Sequence, residues 1–157
     1  MRKLILTILA LVAATPTFAQ LPNPYGASIS LDQAKKIAAL SVAEAAKNNW
    51  KMAVAIVDVA GDLVYFEKMD GTQLASVNIA QDKARSSVRF KRPTKAMQDV
   101  LAGGGAGIRF LALQGAIPVE GGLPLIVDGK IVGAIGASGG TSDQDGLAAK
   151  AGADSVK

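Results

Sequence analysis

The stretch LPLIVDGKIVGAIGASGGTSDQDGLAAKAGA, residues 123–153, carries the clearest information on the fold. It has the pattern of a strand, a turn, a second strand, a glycine-rich loop and a helix. Asp128 and Gly129 are a strong signal for a two-residue hairpin turn, because a type I′ turn needs positive φ at both central positions. The helix that follows has candidate N-caps from Thr141 to Asp143.

The rest of the chain alternates helices with pairs of strands. Apolar periodicity and turn residues predict helices at about 31–48, 74–89 and 94–101, and strands at about 51–58, 63–68, 116–120, 123–127 and 130–137. Residues 108–113 fit either a short helix or a short strand, and Pro118 favours an edge position for its strand. Because the strands are grouped into hairpins, we expect an α/β fold of the α+β kind, with helices packed on a mostly antiparallel sheet.

Residues 1–19 have the features of a secretory signal peptide. A basic start at residues 2–3 precedes an apolar core at 4–14 and a small-residue cleavage site at 17–19. The apolar core of about eleven residues is too short to span a bilayer of about 30 Å. The sequence therefore predicts a periplasmic or secreted protein that is one domain over residues 20–157, with no stable membrane insertion after cleavage.

The composition excludes several classes of function. Cleavage would remove two of the 17 basic residues, leaving 15 against 13 acidic ones, so the net charge falls from +4 to +2 and nucleic-acid binding is disfavoured. The chain has no cysteine and no histidine, which excludes disulfides, zinc sites of the usual kind, and Ser-His-Asp or Cys-His catalysis. Chemistry is left to carboxylates, lysine, arginine, hydroxyl groups, methionine and the backbone.

The glycine-rich loop before the last helix is one candidate ligand site. It contains Gly139, Gly140, Thr141 and Ser142. Backbone N–H groups at the start of a helix suit a carboxylate or a phosphate. The alternative is that the same residues only cap the helix.

A basic cluster at residues 90–95 is a second candidate. Lys91, Arg92 and Lys95 would clamp an acidic ligand while Phe90 stacks on a flat ring. The alternative is a solvated helix end, where cations interact favourably with the helix dipole.

Two carboxylates and one thioether complete the candidates. Glu120 lies among glycines and apolar residues, where burial would raise its pKa for acid–base chemistry, or it pairs with Arg92 or Lys95. Asp145 is the other candidate base. Met69, beside a turn, is a candidate ligand for a soft metal or haem iron.

Several motifs follow one another over nearly the whole mature chain. They are Pro24-Tyr25-Gly26, residues 58–63, residues 66–71, Phe90-Lys-Arg-Pro-Thr94, Pro118-Val-Glu-Gly-Gly122 and Gly133-Ala-Ile-Gly-Ala-Ser-Gly-Gly140. Taken together and in this order, they resemble those of the GlcG/HbpS family. The resemblance implies a profilin-like three-layer α/β/α fold with a mostly antiparallel five-stranded sheet. It also implies homo-oligomers, octamers in some members. The family includes secreted haem-binding and haem-degrading proteins, some of which sense redox stress through a partner kinase.

The resemblance leads to a hypothesis of an exported, oligomeric haem-binding protein. Lys91, Arg92 and Lys95 would pair with propionates, Phe90 and Thr94 would contact the ring or the iron, and the loop from Gly139 to Ser142 would add backbone donors. Because histidine is absent, iron ligation would fall to groups such as the Met69 sulfur or the Thr94 hydroxyl.

Two alternatives remain open at this point. One is an enzyme acting on a small organic acid, with Glu120 or Asp145 as the base and Arg92 as the carboxylate clamp. The other is an extracytoplasmic interaction module that serves a sensor or a transporter.

Overall fold

The structure is a computed structural model that describes residues 22–156, so the predicted signal peptide at 1–19 lies outside the described residues. Helices and strands follow the order predicted from the sequence, except that residues 116–120 form no strand. They are α1 (Leu31–Lys47), β1 (Ala53–Val57), β2 (Leu63–Lys68), α2 (Ser76–Phe90), α3 (Thr94–Ala102), a 3-10 helix (Gly105–Ala112), β3 (Gly122–Val127), β4 (Lys130–Ser138) and α4 (Ser142–Ala153). None of the helices within residues 22–156 has the length and apolar character needed to cross a membrane.

The sheet has the strand order β2-β1-β4-β3, and every neighbouring pair is antiparallel. Over the described residues it contains four strands, so the predicted fifth strand is not confirmed. Residues 116–120 are irregular. Two of their backbone donors bond to side chains: Ile117 N–H donates to Ser86 Oγ at 2.9 Å, and Glu120 N–H donates to Gln98 Oε1 at 2.7 Å. The N–H groups of Ala116 and Val119 bond to backbone oxygens nearby in the chain.

Helices cover both faces of the sheet, as expected for an α/β/α fold. All five residues of β1 are buried. Val54 and Ile56 belong to one core cluster with residues of α1 and α4, whereas Ala53 and Ala55 belong to a second cluster with residues of α2. Successive side chains of a strand point to opposite faces, so β1 separates the two helical layers.

The turn and cap predictions from the local sequence are confirmed. Asp128 and Gly129 have φ values of 48° and 71°, the positive values that a type I′ hairpin turn needs. Thr141, one of the predicted N-caps, forms the capping box that begins α4, and a second capping box at Ser30 begins α1. Residues 108–113, which fitted a helix or a strand, lie largely in the 3-10 helix.

An N-terminal arm, residues 22–27, lies along β4. Gly26 N–H donates to Ile131 O, and Ile131 N–H donates to Pro24 O, both at 2.8 Å. These bonds hold Tyr25 beside the sheet, where its hydroxyl donates to Val88 O of α2 at 2.9 Å. The arm is therefore part of the folded domain.

Glycines in β3 and β4 let α2 pack directly on the sheet. A Cβ atom at Gly136 would overlap the backbone oxygen of Ala80, and one at Gly122 would overlap that of Lys83. Only a residue without a side chain fits at either position. This close approach places the backbone of Lys83 against β3, with its ammonium group beside Gly121.

We expect Gly136→Ala to lower the free energy of unfolding by about 3 kcal/mol, because the added methyl group has to push α2 away from β4. Urea denaturation of the purified protein measures this loss. Gly103→Ala is the control, since its Cβ would meet its nearest carbonyl oxygen at an ordinary 3.5 Å. Equal losses in the two variants would contradict the close-packing argument.

Candidate functional site

A cleft of about 510 Å³ lies at one end of the domain, where the N-terminal arm, β3 and the end of α4 meet. Its volume falls in the range of about 300–1,000 Å³ that is usual for small-molecule sites. We call it the lysine cleft, and its lining consists of Asn23, Lys91, Pro93, Leu123, Pro124, Ile126, Lys150, Ala153, Asp154 and Val156. Six of these residues are apolar, and two are lysines.

Lys91 is held in place from two sides. It follows the last residue of α2 in the left-handed conformation, with φ 54°. Its ammonium nitrogen lies 4.1 Å from the centre of the Tyr25 ring, a cation–π contact. The basic cluster predicted from the sequence therefore contributes one cation to the lysine cleft.

Lys150 supplies the second cation from α4. It forms an ion pair with Asp154, one turn further along. The side chain of Lys150 remains 61% exposed. The cleft thus combines apolar walls with two ammonium groups and one carboxylate.

The other members of the basic cluster lie outside this lining. Arg92 is exposed, and its Nε donates to Phe90 O at 3.0 Å. Lys95 pairs with Asp99 at 3.0 Å, and this carboxylate raises the pKa of Lys95. Phe90 is half-buried and is absent from the lining. These three residues stay predictions as ligand contacts.

Neither of the two predicted iron ligands lines the lysine cleft. Thr94 is fully buried, and its Oγ1 accepts a hydrogen bond from Gly122 N–H at 2.9 Å. Met69 is half-buried and packs against the core between the sheet, α1 and α4. Both stay predictions as iron ligands. Within residues 22–156, no group of three or more acidic side chains is arranged to hold a metal ion.

The glycine-rich loop is bound to a carboxylate of the protein itself. Gly140 N–H donates to Asp145 Oδ1 at 2.9 Å. Thr141 and Gln144 form the capping box of α4, and Ser142 is the first residue of that helix. The helix-cap interpretation describes this geometry, and the ligand-binding interpretation stays a prediction.

Asp145 pairs with a lysine that the sequence analysis missed. Lys83 Nζ lies 2.7 Å from Asp145 Oδ2 and 3.2 Å from Ala137 O. The two side chains are 1% and 4% exposed. Burial raises the pKa of the Asp145 carboxyl, while the Lys83 ammonium and the backbone N–H groups of the loop oppose that rise.

A signal for Lys83 does exist in the sequence. It lies on the same face of α2 as Ser76, Ala80 and Ser87, which are also buried. A lysine within the apolar stripe of a helix requires a buried partner, because an unpaired charge there is costly. The sequence does not show which carboxylate supplies it.

Glu120 lies next to this ion pair but outside the lysine cleft. Its carboxylate packs against α4 at Gly146, where a Cβ atom would overlap it. Lys95 Nζ is 3.6 Å from Glu120 Oε2, so the predicted pairing of Glu120 with Lys95 is present. Oε2 is buried, and within the described chain it accepts no hydrogen bond.

Comparison with known proteins identifies the family of this chain. The family model described as "Haem degrading protein HbpS-like" matches residues 29–154. The chain belongs to the HbpS-like family. Protein GlcG from Escherichia coli strain K12 is 37% identical to this chain over 110 residues, which cover 70% of this chain and 81% of GlcG.

Solved structures of family members have the same fold. A double mutant of HbpS from Streptomyces reticuli has a TM-score of 0.77 and 26% identity, covering 96% of this chain and 99% of its own. A PduOC complex with haem has a TM-score of 0.74 and 26% identity, covering 83% and 96%. The fold expected for the GlcG/HbpS family is thereby confirmed, apart from the fifth strand.

We expect Lys83→Met to lower the free energy of unfolding by about 3–5 kcal/mol, because it leaves the Asp145 carboxylate buried without its counter-ion. The double variant Lys83→Met/Asp145→Leu should lose less, since both charges are removed together. Urea denaturation of the single and double variants gives the comparison.

Lys47→Met is the matched control, because this lysine is 76% exposed and lies 3.7 Å from Glu44. An exposed pair of this kind contributes at most about 1 kcal/mol. A double variant at least as unstable as Lys83→Met would contradict the importance of the buried charge.

Proposed function

We propose that this chain is an exported, oligomeric haem-binding protein and that haem binds in the lysine cleft. Three observations support the proposal. The chain belongs to a family described as haem-degrading, and a similar solved structure is a complex with haem. The observation that carries the proposal is the pair of lysines on an apolar cleft of about 510 Å³.

The chemistry of the lining fits haem. A porphyrin is a flat apolar body with two carboxylates on one edge. The side chains of Leu123, Pro124 and Ile126 provide an apolar wall, and Lys91 and Lys150 provide one cation for each propionate. Since exposed ion pairs contribute at most about 1 kcal/mol each, burial of the ring against this wall supplies most of the affinity.

The residues of the cleft bind and orient the group. Lys91, fixed by Tyr25, defines where one propionate lies, and Lys150 on α4 defines the other. Bound haem would supply a redox-active iron. Because neither Met69 nor Thr94 lines the cleft, we expect binding that depends on the porphyrin face and the propionates more than on a protein ligand to iron.

The small-acid enzyme receives less support. Its two candidate bases lie outside the cleft, and Asp145 is engaged by Lys83. Its carboxylate clamp, Arg92, bonds instead to the carbonyl of Phe90.

Haem titration of the purified mature protein tests the proposed site. We expect a saturable shift of the Soret band at about one haem per chain. The double variant Lys91→Gln/Lys150→Gln should bind at least about tenfold more weakly, which corresponds to about 1.4 kcal/mol. Lys35→Gln, an exposed lysine of α1 outside the cleft lining, is the control and should bind as the wild type does.

Two results would contradict the site. A titration that does not saturate would show that the protein does not bind haem at a specific site. Unchanged haem affinity in the double variant, together with altered visible absorption bands in Met69→Leu, would indicate that haem binds at the turn between β2 and α2.

The proposed assembly uses an exposed apolar surface, the 3-10 face, formed by α3, the 3-10 helix and the segment after it. Its members are Val100, Ile108, Leu111, Leu113 and Val119, which are 40–68% exposed. Several exposed large apolar side chains on neighbouring segments are typical of interfaces between subunits. In the proposal, this surface is covered by another copy of the chain.

We expect the double variant Ile108→Glu/Leu111→Glu to dissociate the oligomer, because burying two carboxylates in an interface is strongly unfavourable. Size-exclusion chromatography with light scattering measures the mass directly. Leu74→Glu is the control, since Leu74 is 85% exposed just before α2. An unchanged mass in the double variant would show that the 3-10 face is not the interface.

A further inference from the structure

Val156 belongs to two cavities at once. Besides the lysine cleft, a smaller cleft of about 330 Å³ lies between α1 and the segment after α4. We call it the α1 cleft, and it is lined by Gln33, Lys36, Ile37, Leu40, Ser155 and Val156. Val156 is the residue that the two linings share, so it lies at their junction.

The position of Val156 is fixed by the end of α4. Ser155 donates twice to Gly152 O, from its N–H at 3.2 Å and from its Oγ at 2.7 Å. Val156 N–H donates to Ala153 O at 3.4 Å. The valine side chain is half-buried and packs against the core between the sheet, α1 and α4. Val156 is therefore a part-buried residue held at the junction of the two clefts.

The α1 cleft repeats the chemistry of the lysine cleft on a smaller scale. Ile37 and Leu40 supply apolar surface, and Lys36 supplies a cation next to it. An anion with an apolar body suits both clefts. A ligand that occupies both at once has to cross the position of the Val156 isopropyl group.

We propose that Val156 determines the ligand size that the lysine cleft accepts. It confines a ligand to the lysine cleft and excludes apolar anions that would extend past it into the α1 cleft. The inference rests on the proposed function, because it takes the lysine cleft as the binding site.

The experiment uses two fluorescent probes of the same chemistry and different length. Anilinonaphthalene sulfonate is a compact apolar anion, and its dimer, bis-anilinonaphthalene sulfonate, has two such units. Removal of the side chain in Val156→Gly should raise the affinity for the dimer relative to the monomer by at least about tenfold. Val156→Ala, which keeps the backbone preference for the present conformation, should give a smaller change in the same direction.

Two further variants locate the effect. Leu147→Ala changes an exposed residue of α4 that lines neither cleft, and it should leave the ratio of affinities unchanged. Val156→Gly/Leu40→Glu places a carboxylate in the α1 cleft, where it repels the second sulfonate. This double variant should lose the gain in affinity for the dimer.

The outcomes separate this inference from the proposed function. An unchanged ratio in both Val156 variants would overturn the inference, and so would a gain that survives Leu40→Glu or the absence of any probe binding. If the wild-type protein fails to bind haem but the ratio of dimer to monomer affinity changes as expected, the proposed function is wrong and the size limit set by Val156 is supported. If haem binds and the ratio is unchanged, only the size limit attributed to Val156 is wrong.

Discussion

The ion pair between Lys83 and Asp145 is the interaction on which the arrangement of the two helical layers depends. Lys83 comes from α2 on one face of the sheet, and Asp145 comes from α4 on the other. The chain passes beside the pair at Gly121, where a Cβ atom would lie 2.8 Å from Lys83 Nζ. Because the two charges are buried, each requires the other, and the positions of α2 and α4 are coupled through them.

This coupling extends to the lysine cleft. The residue that follows α2 is Lys91, and α4 carries Lys150. Both cations of the cleft are therefore supported by the two helices that the buried pair joins. A change in the packing of α2 against Gly122 or Gly136 would alter the separation of the two ammonium groups, and with it the fit of a dianionic ligand.

The glycine-rich loop shows how a motif for anion binding can serve the fold itself. Its N–H groups bind a carboxylate, as their chemistry favours, and the carboxylate is that of Asp145, five residues beyond Gly140. In the basic cluster, Lys95 bonds to Asp99 and Arg92 to the carbonyl of Phe90. In both segments these polar groups bond within the chain, and their contacts with a ligand stay predictions.

The sequence by itself determined the features that depend on neighbours within a few residues: the hairpin turn at Asp128-Gly129, the capping boxes at Ser30 and Thr141, and all helices and strands except the one predicted at 116–120. Tertiary structure decided the features that join distant segments. Lys83 and Asp145 are 62 positions apart, and the lysine cleft combines the N-terminal arm with α4. Residues 116–120 form no strand, and two of their N–H groups bond instead to side chains of α2 and α3. Turn and cap preferences arise from local backbone geometry, whereas these contacts depend on how closely whole helices approach the sheet.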